Sequence, residues 1–247
     1  MSDTNMLGDL KNKTVLEIGS GRGDATRELA TRMSGSGGRL IVTDISGKHF
    51  ESLRADLDPI DLVVEFIRTS PLKLAGIRPS SIDLVVCIDA LSAINAIVGQ
   101  GDLALRKFYE VLQPGGTLYI EEELPFYMAA SPAQHVWADQ LRLFKAAQLL
   151  AGMRPSNAYQ PDVLEALVIA AGFEKVDISD EVAIRPAADW WDEFRTRFEN
   201  SINEFDDDKL KGAFFYYLGK LEEKANITGN MEVPNIILTA KKPWRVE

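Results

Sequence analysis

The residues most ready for chemistry are Glu17-Ile18-Gly19-Ser20-Gly21-Arg22-Gly23, which leave a short apolar run and enter a segment patterned as a helix. A loop so placed turns unpaired backbone N–H groups at a helix N-terminus toward a ligand. Its glycines let the chain bend sharply and admit a ligand where a Cβ would stand in the way. A dinucleotide loop, G-x-G-x-x-G, needs a third small residue where Asp24 stands, and Asp24 would repel a pyrophosphate. That reading fails on spacing and on charge. The candidate general bases are Asp89, Glu122, Glu123 and His135. Glu122 and Glu123 follow the fifth apolar run, at the edge where open α/β sheets place ligands. Asp89 can equally cap the helix after it. His135 shares a helical face with Asp139 and Arg142, a face that can equally be plain solvent-exposed surface.

The elements that must position these groups are legible in the periodicity. Residues 14–18, 40–44, 62–67, 82–88 and 117–121 form short, continuous, β-branched runs. Helical segments separate them, among them Asp24–Met33 and the one carrying Leu105, Phe108 and Leu112, which Gln113-Pro114-Gly115-Gly116 ends in a tight turn. Such runs predict a parallel sheet buried on both faces. Beyond residue 123, helices carry stripes at Trp137, Leu141, Phe144 and Ala151, then at Trp191, Phe194, Phe198 and Ile202, and at Leu210, Phe214, Tyr217 and Leu221. A helix at 161–171 and strands at 175–178 and 234–240 complete the pattern, with helix expected from Arg185 to Asn230. The predicted fold class is α/β: a doubly wound, mostly parallel, seven-stranded sheet. It forms one domain over residues 1–247, with helical insertions at about 125–158 and 186–230.

Acid-x-Gly-x-Gly-x-Gly after a strand is similar to the cofactor loop of class I S-adenosylmethionine-dependent methyltransferases. Asp44 at the end of the second strand, Ile82-Asp83-Leu84-Val85-Val86, and Val111-Leu112-Gln113-Pro114-Gly115-Gly116-Thr117-Leu118 extend the resemblance over about residues 10 to 123, and 234–240 matches the final strand. It implies S-adenosyl-L-methionine as cofactor, with Glu17, Gly19 and Ser20 beside its methionine end. Gly21 and Gly23 would leave room for ribose and sulfonium. Asp44 would accept from both ribose hydroxyls, and Ile45 would touch adenine. The family's acid at the end of the third strand is replaced by Arg68-Thr69-Ser70-Pro71, so a hydroxyl of Thr69 or Ser70 is expected to serve the adenine amino group. The main chain of Cys87 would lie beside the methionine moiety, its thiol an inert filler.

The same resemblance implies methyl transfer by in-line displacement, in which the protein mainly positions the acceptor. The Asn-Pro-Pro-Tyr-type motif that grips planar nitrogen is absent, with Val86-Cys87-Ile88-Asp89-Ala90-Leu91 in its place. This points to a small organic acceptor, covered by the two insertions. Tyr127, Trp137, Tyr159, Trp190, Trp191, Tyr216 and Tyr217 are the aromatics available to line an apolar pocket. Two other readings stay open at this level: a cofactor-binding subunit without turnover, and aminopropyl-type transfer on the same fold. Lys and Arg number 27 against 37 Asp and Glu, a net charge of −10 without a basic cluster, which argues against nucleic acid as partner. One cysteine excludes an internal disulfide and a multi-cysteine metal site. With no leader-like opening and no apolar run near the ~18 residues of a membrane span, a cytoplasmic protein is expected, without a membrane partner and free to form a homodimer.

Overall fold

The apolar, β-branched runs pair edge to edge and leave polar residues to the loops. In the computed structural model, which describes residues 7–244 and all their side chains except those of 187–190 and 193, they become β1 (Thr14–Ile18), β2 (Arg39–Asp44), β3 (Val63–Arg68), β4 (Ile82–Ile88), β5 (Leu112–Glu123), β6 (Glu174–Pro186) and β7 (Asn230–Lys241). The sheet order is β3-β2-β1-β4-β5-β7-β6, with β7 antiparallel to both neighbours and the remaining pairs parallel. The chain runs outward from β1 to β3, then returns to β4 on the other side of β1. That reversal opens a crevice at the carboxyl ends of β1 and β4, the place where open α/β sheets take ligands.

Two layers of helices cover the sheet. On one face α1 (Asp24–Met33) and α2 (Phe50–Leu57) bury Leu29, Met33, Phe50 and Leu57 against Val15, Leu40, Val42 and Val86. On the other lie α3 (Leu91–Ile94), α4 (Gln100–Val111), α5 (Pro132–Leu150), α6 (Pro161–Ala170), α7 (Ala187–Asn203) and α8 (Asp208–Thr228), around Leu16, Ile18, Phe108, Trp137 and Phe198. No helix among the described residues is long and apolar enough to cross a membrane.

Three boundaries differ from the periodicity, each for a tertiary reason. The Gln113–Gly116 turn lies inside β5: Ile82 pairs with Leu112 and Leu84 already with Thr117, so the turn is a bulge in the ladder. Gly115 there has φ +77°, donates its N–H to the Lys242 carbonyl at 2.9 Å, and lies so close to Trp244 that a Cβ would come within 2.4 Å of the indole. Next, β6 runs to Pro186 and takes in Arg185, expected to be helical, because it pairs antiparallel with β7 out to Pro186↔Asn230. Val182 and Ile184 in this extension are exposed, so it gives no core signal in the sequence. Finally, α8 buries Phe214, Leu218, Leu221 and Ala225, and Tyr217, read as part of the stripe, faces out. The stripe advances by four residues after Phe214, the spacing that keeps it on the core face.

The helix that will matter for the site, α5, is set by its start. Ser131 accepts the Gln134 N–H at 3.1 Å, Gln134 reaches back to the Ser131 N–H, and Pro132 occupies the first turn. The same hydroxyl donates to Glu232 Oε2 of β7 at 2.7 Å, tying the helix to the sheet. Ser131→Ala should therefore cost about 1–2 kcal/mol, read as a lower denaturation midpoint with unchanged slope.

Candidate functional site

The glycine loop is clamped to the end of β2: the N–H groups of Gly19 and Ser20 both donate to the Thr43 carbonyl, at 2.9 and 3.0 Å. All three glycines have positive φ, +74°, +52° and +93°, a conformation other residues adopt at a cost of roughly 1–2 kcal/mol. They do not share one purpose. A Cβ on Gly23 would land 2.1 Å from Leu53 of α2, and one on Gly19 would lie 2.8 Å from the Ala90 Cβ. At Gly21 the nearest atom would be the Gly19 carbonyl at 3.9 Å, so only this glycine borders open space. The bareness of Gly23 serves the packing of α2.

Beneath the loop, Glu17 is buried and accepts the Thr26 hydroxyl of α1 on Oε1 at 3.0 Å, while Oε2 has no hydrogen-bond partner among the described residues. Burial, aided by the charge of Asp44 and opposed by Thr26, pushes its carboxyl up to about 7. The buried Ser20 hydroxyl is likewise unpartnered. An unpaired buried carboxyl oxygen at the mouth of a sheet suits a ligand cation, which would restore its charge.

Asp44 stands at the end of β2 with its two oxygens in different service. Oδ1 accepts from the Ser46 N–H (2.7 Å), the Ser46 hydroxyl (2.8 Å) and the Gly47 N–H (3.1 Å). Among the described residues Oδ2 takes the Gly21 N–H alone, at 3.2 Å. Partial burial works to raise this carboxyl, but the bonds from Ser46, Gly47 and Gly21 outweigh it and hold it below the ordinary range. It is an ionised acceptor with one oxygen turned to the open glycine. Ile45 beside it is 67 % exposed, an apolar face without cover. Thr69 accepts the Ala75 N–H at 2.9 Å and Ser70 the Leu72 N–H at 3.3 Å, so both hydroxyls also hold the turn after β3. Cys87 is fully buried; burial and the charges of Glu122 and Asp89 push its thiol well up, which keeps it unreactive.

Next to the loop a cavity of about 580 Å³ runs from Arg22 and Asp24 to α5 and α7. Its floor is acidic: Asp89 after β4, and Glu122 and Glu123 at the end of β5. Asp89 is exposed on the cavity, where the surrounding protein displaces part of the water around its carboxyl. That displacement and the charges of Glu123 and Glu121 push it up to about 7, with Arg185 opposing. Glu122 is buried, accepts the Ser92 N–H on Oε1 at 3.1 Å, and is pushed up to about 8 by burial and by Asp89. Glu123 accepts the Trp137 indole N–H at 3.3 Å. His135 joins none of this: it is exposed on α5 and outside the cavity lining.

The walls are more polar than the aromatic inventory predicts. Trp137 lines the cavity, joined by Phe144 and Phe194. Trp191 instead packs on Phe194 within the helical layer, and Tyr159 donates to Asp102 of α4 at 2.6 Å. Tyr127, Tyr216 and Tyr217 are exposed, and the side chain of Trp190 lies outside the described residues. The cationic lining from α5, β6 and α7 was missed because it is scattered over distant sequence.

These carboxyls make stability depend on pH in a definite direction. A group whose carboxyl is raised from 4.5 to about 8 keeps its proton in the folded state where the unfolded chain has lost it. Stability then falls as pH rises through that window. Glu122→Gln keeps the acceptor for Ser92 and cannot ionise, so it should match the wild type near pH 4.5. By pH 8.5 it should be the more stable by ~2–4 kcal/mol, measured by denaturant titration without ligand.

A family model described as Methyltransferase domain matches residues 15–116. The ubiquinone/menaquinone biosynthesis C-methyltransferase UbiE of Escherichia coli O139:H28 (strain E24377A / ETEC) is 28% identical over 182 residues, 69% of this chain and 70% of its own. A SAM-dependent methyltransferase of Methanosarcina mazei superimposes with a TM-score of 0.61 at 15% identity, over 99% of both chains. Haemonchus contortus phosphoethanolamine N-methyltransferase 2, in complex with phosphomonomethylethanolamine and S-adenosylhomocysteine, gives 0.59 at 17% identity, over 97% of this chain and 51% of that one. The matched residues take in the glycine loop and the acid at the end of β2, so this part of the chain is similar to a methyltransferase domain, and the 3-2-1-4-5-7-6 sheet as a whole has the fold of these methyltransferase structures.

Proposed function

We propose that this enzyme methylates a small organic acceptor bound in the cavity between the carboxyl ends of β4 and β5 and the helices α5 and α7. The observation that carries this reading is the cavity itself: at about 580 Å³ it lies within the ~300–1,000 Å³ of small-molecule sites, and it starts at the cofactor loop. In this reading the chain acts as one domain, with α5 and the α7–α8 pair as its cover.

S-adenosylmethionine, when bound, supplies an electrophilic methyl carbon. The protein's own groups do the rest. Asp44 Oδ2 receives the ribose hydroxyls, Gly21 leaves room for the nucleoside, and Ile45 offers its exposed side chain to adenine, with Thr69 or Ser70 at the adenine edge. Glu17, backed by Thr26, faces the methionine ammonium, with Gly19, Ser20 and the main chain of Cys87 around it. The acceptor's lone pair forms the new bond as the carbon–sulfur bond breaks, and Asp89 takes the proton the acceptor sheds. A carboxyl held near 7 suits that task at neutral pH. Glu122, neutral in the same range, keeps Asp89 from facing a second charge. Similarity to a C-methyltransferase agrees with a base here, because attack through carbon requires loss of a C–H proton.

The test is calorimetric titration at neutral pH followed by product mass. S-adenosylmethionine and S-adenosylhomocysteine should both bind, and an acceptor should gain one CH₂ per S-adenosylhomocysteine released. Absence of binding by either would overturn the reading.

A further inference from the structure

Cations gather around the cavity, in a chain whose net charge is −10. Lys145 of α5, Arg154 in the loop after it, Arg185 at the end of β6 and Arg197 of α7 all line it. Several other cations of this chain sit on carboxylates, among them Arg27 on Asp56 at 2.8 Å, Arg195 on Glu222 at 2.6 Å and Lys224 on Asp139 at 2.5 Å. Arg154 and Arg185 make no hydrogen bond or ion pair among the described residues, and Arg185 acts on Asp89 only through space. Lys145 donates to the Ser156 carbonyl at 2.8 Å, which anchors the ammonium and leaves two of its three protons for another acceptor. Arg197 stacks over Phe144 at 5.1 Å, so its guanidinium is held at the wall.

A guanidinium fork matches a carboxylate or phosphate with two parallel bonds, and several cations converging on one cavity draw an anion into it. A neutral acceptor would leave Arg154 and Arg185 without an anion to bind. The carboxyls of Asp89, Glu122 and Glu123 line the same cavity and act through space on these cations, Glu122 and Glu123 on Lys145 and Asp89 on Arg185.

We propose that the acceptor is an organic anion whose carboxylate or phosphate is held by Arg154, Arg185 and Lys145, with its nucleophilic atom directed toward Asp89. This rests on the cavity being the acceptor site and goes beyond it by naming the acceptor's charge and orientation. Protonation of the floor strengthens the case: with Asp89 held near 7 and Glu122 near 8, the cavity carries less negative charge against an incoming anion at neutral pH.

The experiment titrates the protein, saturated with S-adenosylhomocysteine, with benzoate, phenyl phosphate and neutral benzamide, followed by ligand-detected NMR. One anion should bind at least about tenfold more tightly than benzamide, and the advantage should shrink as salt is raised. Whichever of benzoate and phenyl phosphate binds tighter identifies the group. In the double variant Arg154→Gln/Arg185→Gln the advantage should disappear, while S-adenosylhomocysteine affinity, which also reports that the variant is folded, stays the same. Equal binding of benzamide, no anion binding, or an advantage that survives in the double variant would overturn the proposal. Failure of S-adenosylhomocysteine to bind would strike the cofactor reading instead, and the anion preference would then be read on the protein alone.

Discussion

Asp89→Asn should lower kcat by about 10²–10⁴ while leaving cofactor affinity within about twofold, the range a positioned general base contributes. The choice of Asp89 over its neighbours is geometric. Glu122 is buried with Oε1 engaged by the Ser92 N–H, and Glu123 is engaged by the Trp137 indole, whereas the carboxyl of Asp89 opens on the cavity. Its backbone has φ +50°, a left-handed conformation that Asp tolerates better than most residues, and its N–H is held by the Glu121 carbonyl at 2.9 Å. That strain at the end of β4 aims the side chain at the crevice. The pH dependence gives a second readout. A base held near 7 is protonated below that value, so wild-type kcat/KM should rise through about pH 7 and level off above it. In Asp89→Asn the residual rate should lose this limb. The folded state disfavours the charge of Asp89, so the variant should be no less stable than the wild type at pH 8. A rate within about threefold of the wild type, with the limb intact, would remove Asp89 from the reaction.

Asp44→Ala should weaken S-adenosylmethionine binding by ~1.5–3 kcal/mol, roughly 10- to 150-fold, through loss of charge-assisted bonds to the ribose. The substitution also strands donors, because Oδ1 serves Ser46 and Gly47 and Oδ2 serves Gly21. Asp44→Asn separates the two effects. Its amide oxygen can still accept from the turn, so stability should stay within about 1 kcal/mol, whereas the charge is gone and most of the affinity should go with it. Calorimetric titration beside thermal unfolding of the three proteins reads both quantities. If Asp44→Asn binds like the wild type, the carboxylate has no part in holding the cofactor.

Much of the sheet and of the glycine loop is written in local sequence, for a simple reason. Apolar runs of five to seven residues, separated by amphipathic helices, leave few ways to bury both faces of a sheet. The spacing of Glu17, Gly19, Gly21, Gly23 and Asp44 spans one strand–loop–helix–strand unit, so the residues that meet there are near neighbours along the chain. The glycines show where this legibility stops. From sequence all three are equally bare, yet whether the missing side chain faces a ligand or Leu53 depends on where α2 packs. The strand ends at 182–186 and 230–233 were invisible for a related reason: part of that surface is exposed, and backbone pairing, not apolar alternation, forms it.

The acceptor end was decided in three dimensions. His135 and Lys145 sit on one helix, but ten residues at 3.6 per turn send them to different surroundings, one to solvent and one to the cavity. Tyr216 and Tyr217 are aromatic and lie in an insertion, yet both face outward, while Arg154 and Arg185, unremarkable in sequence, line the same cavity as Asp89. The sequence by itself determined the wound sheet, the glycine loop and the acid beside it, because short-range periodicity and one continuous supersecondary unit specify them. Which carboxyls lose their charge, which cations gather, and which aromatics line the cavity belonged to the tertiary structure alone. Those properties arise when residues far apart in the chain exclude water from one another, and no local pattern encodes that.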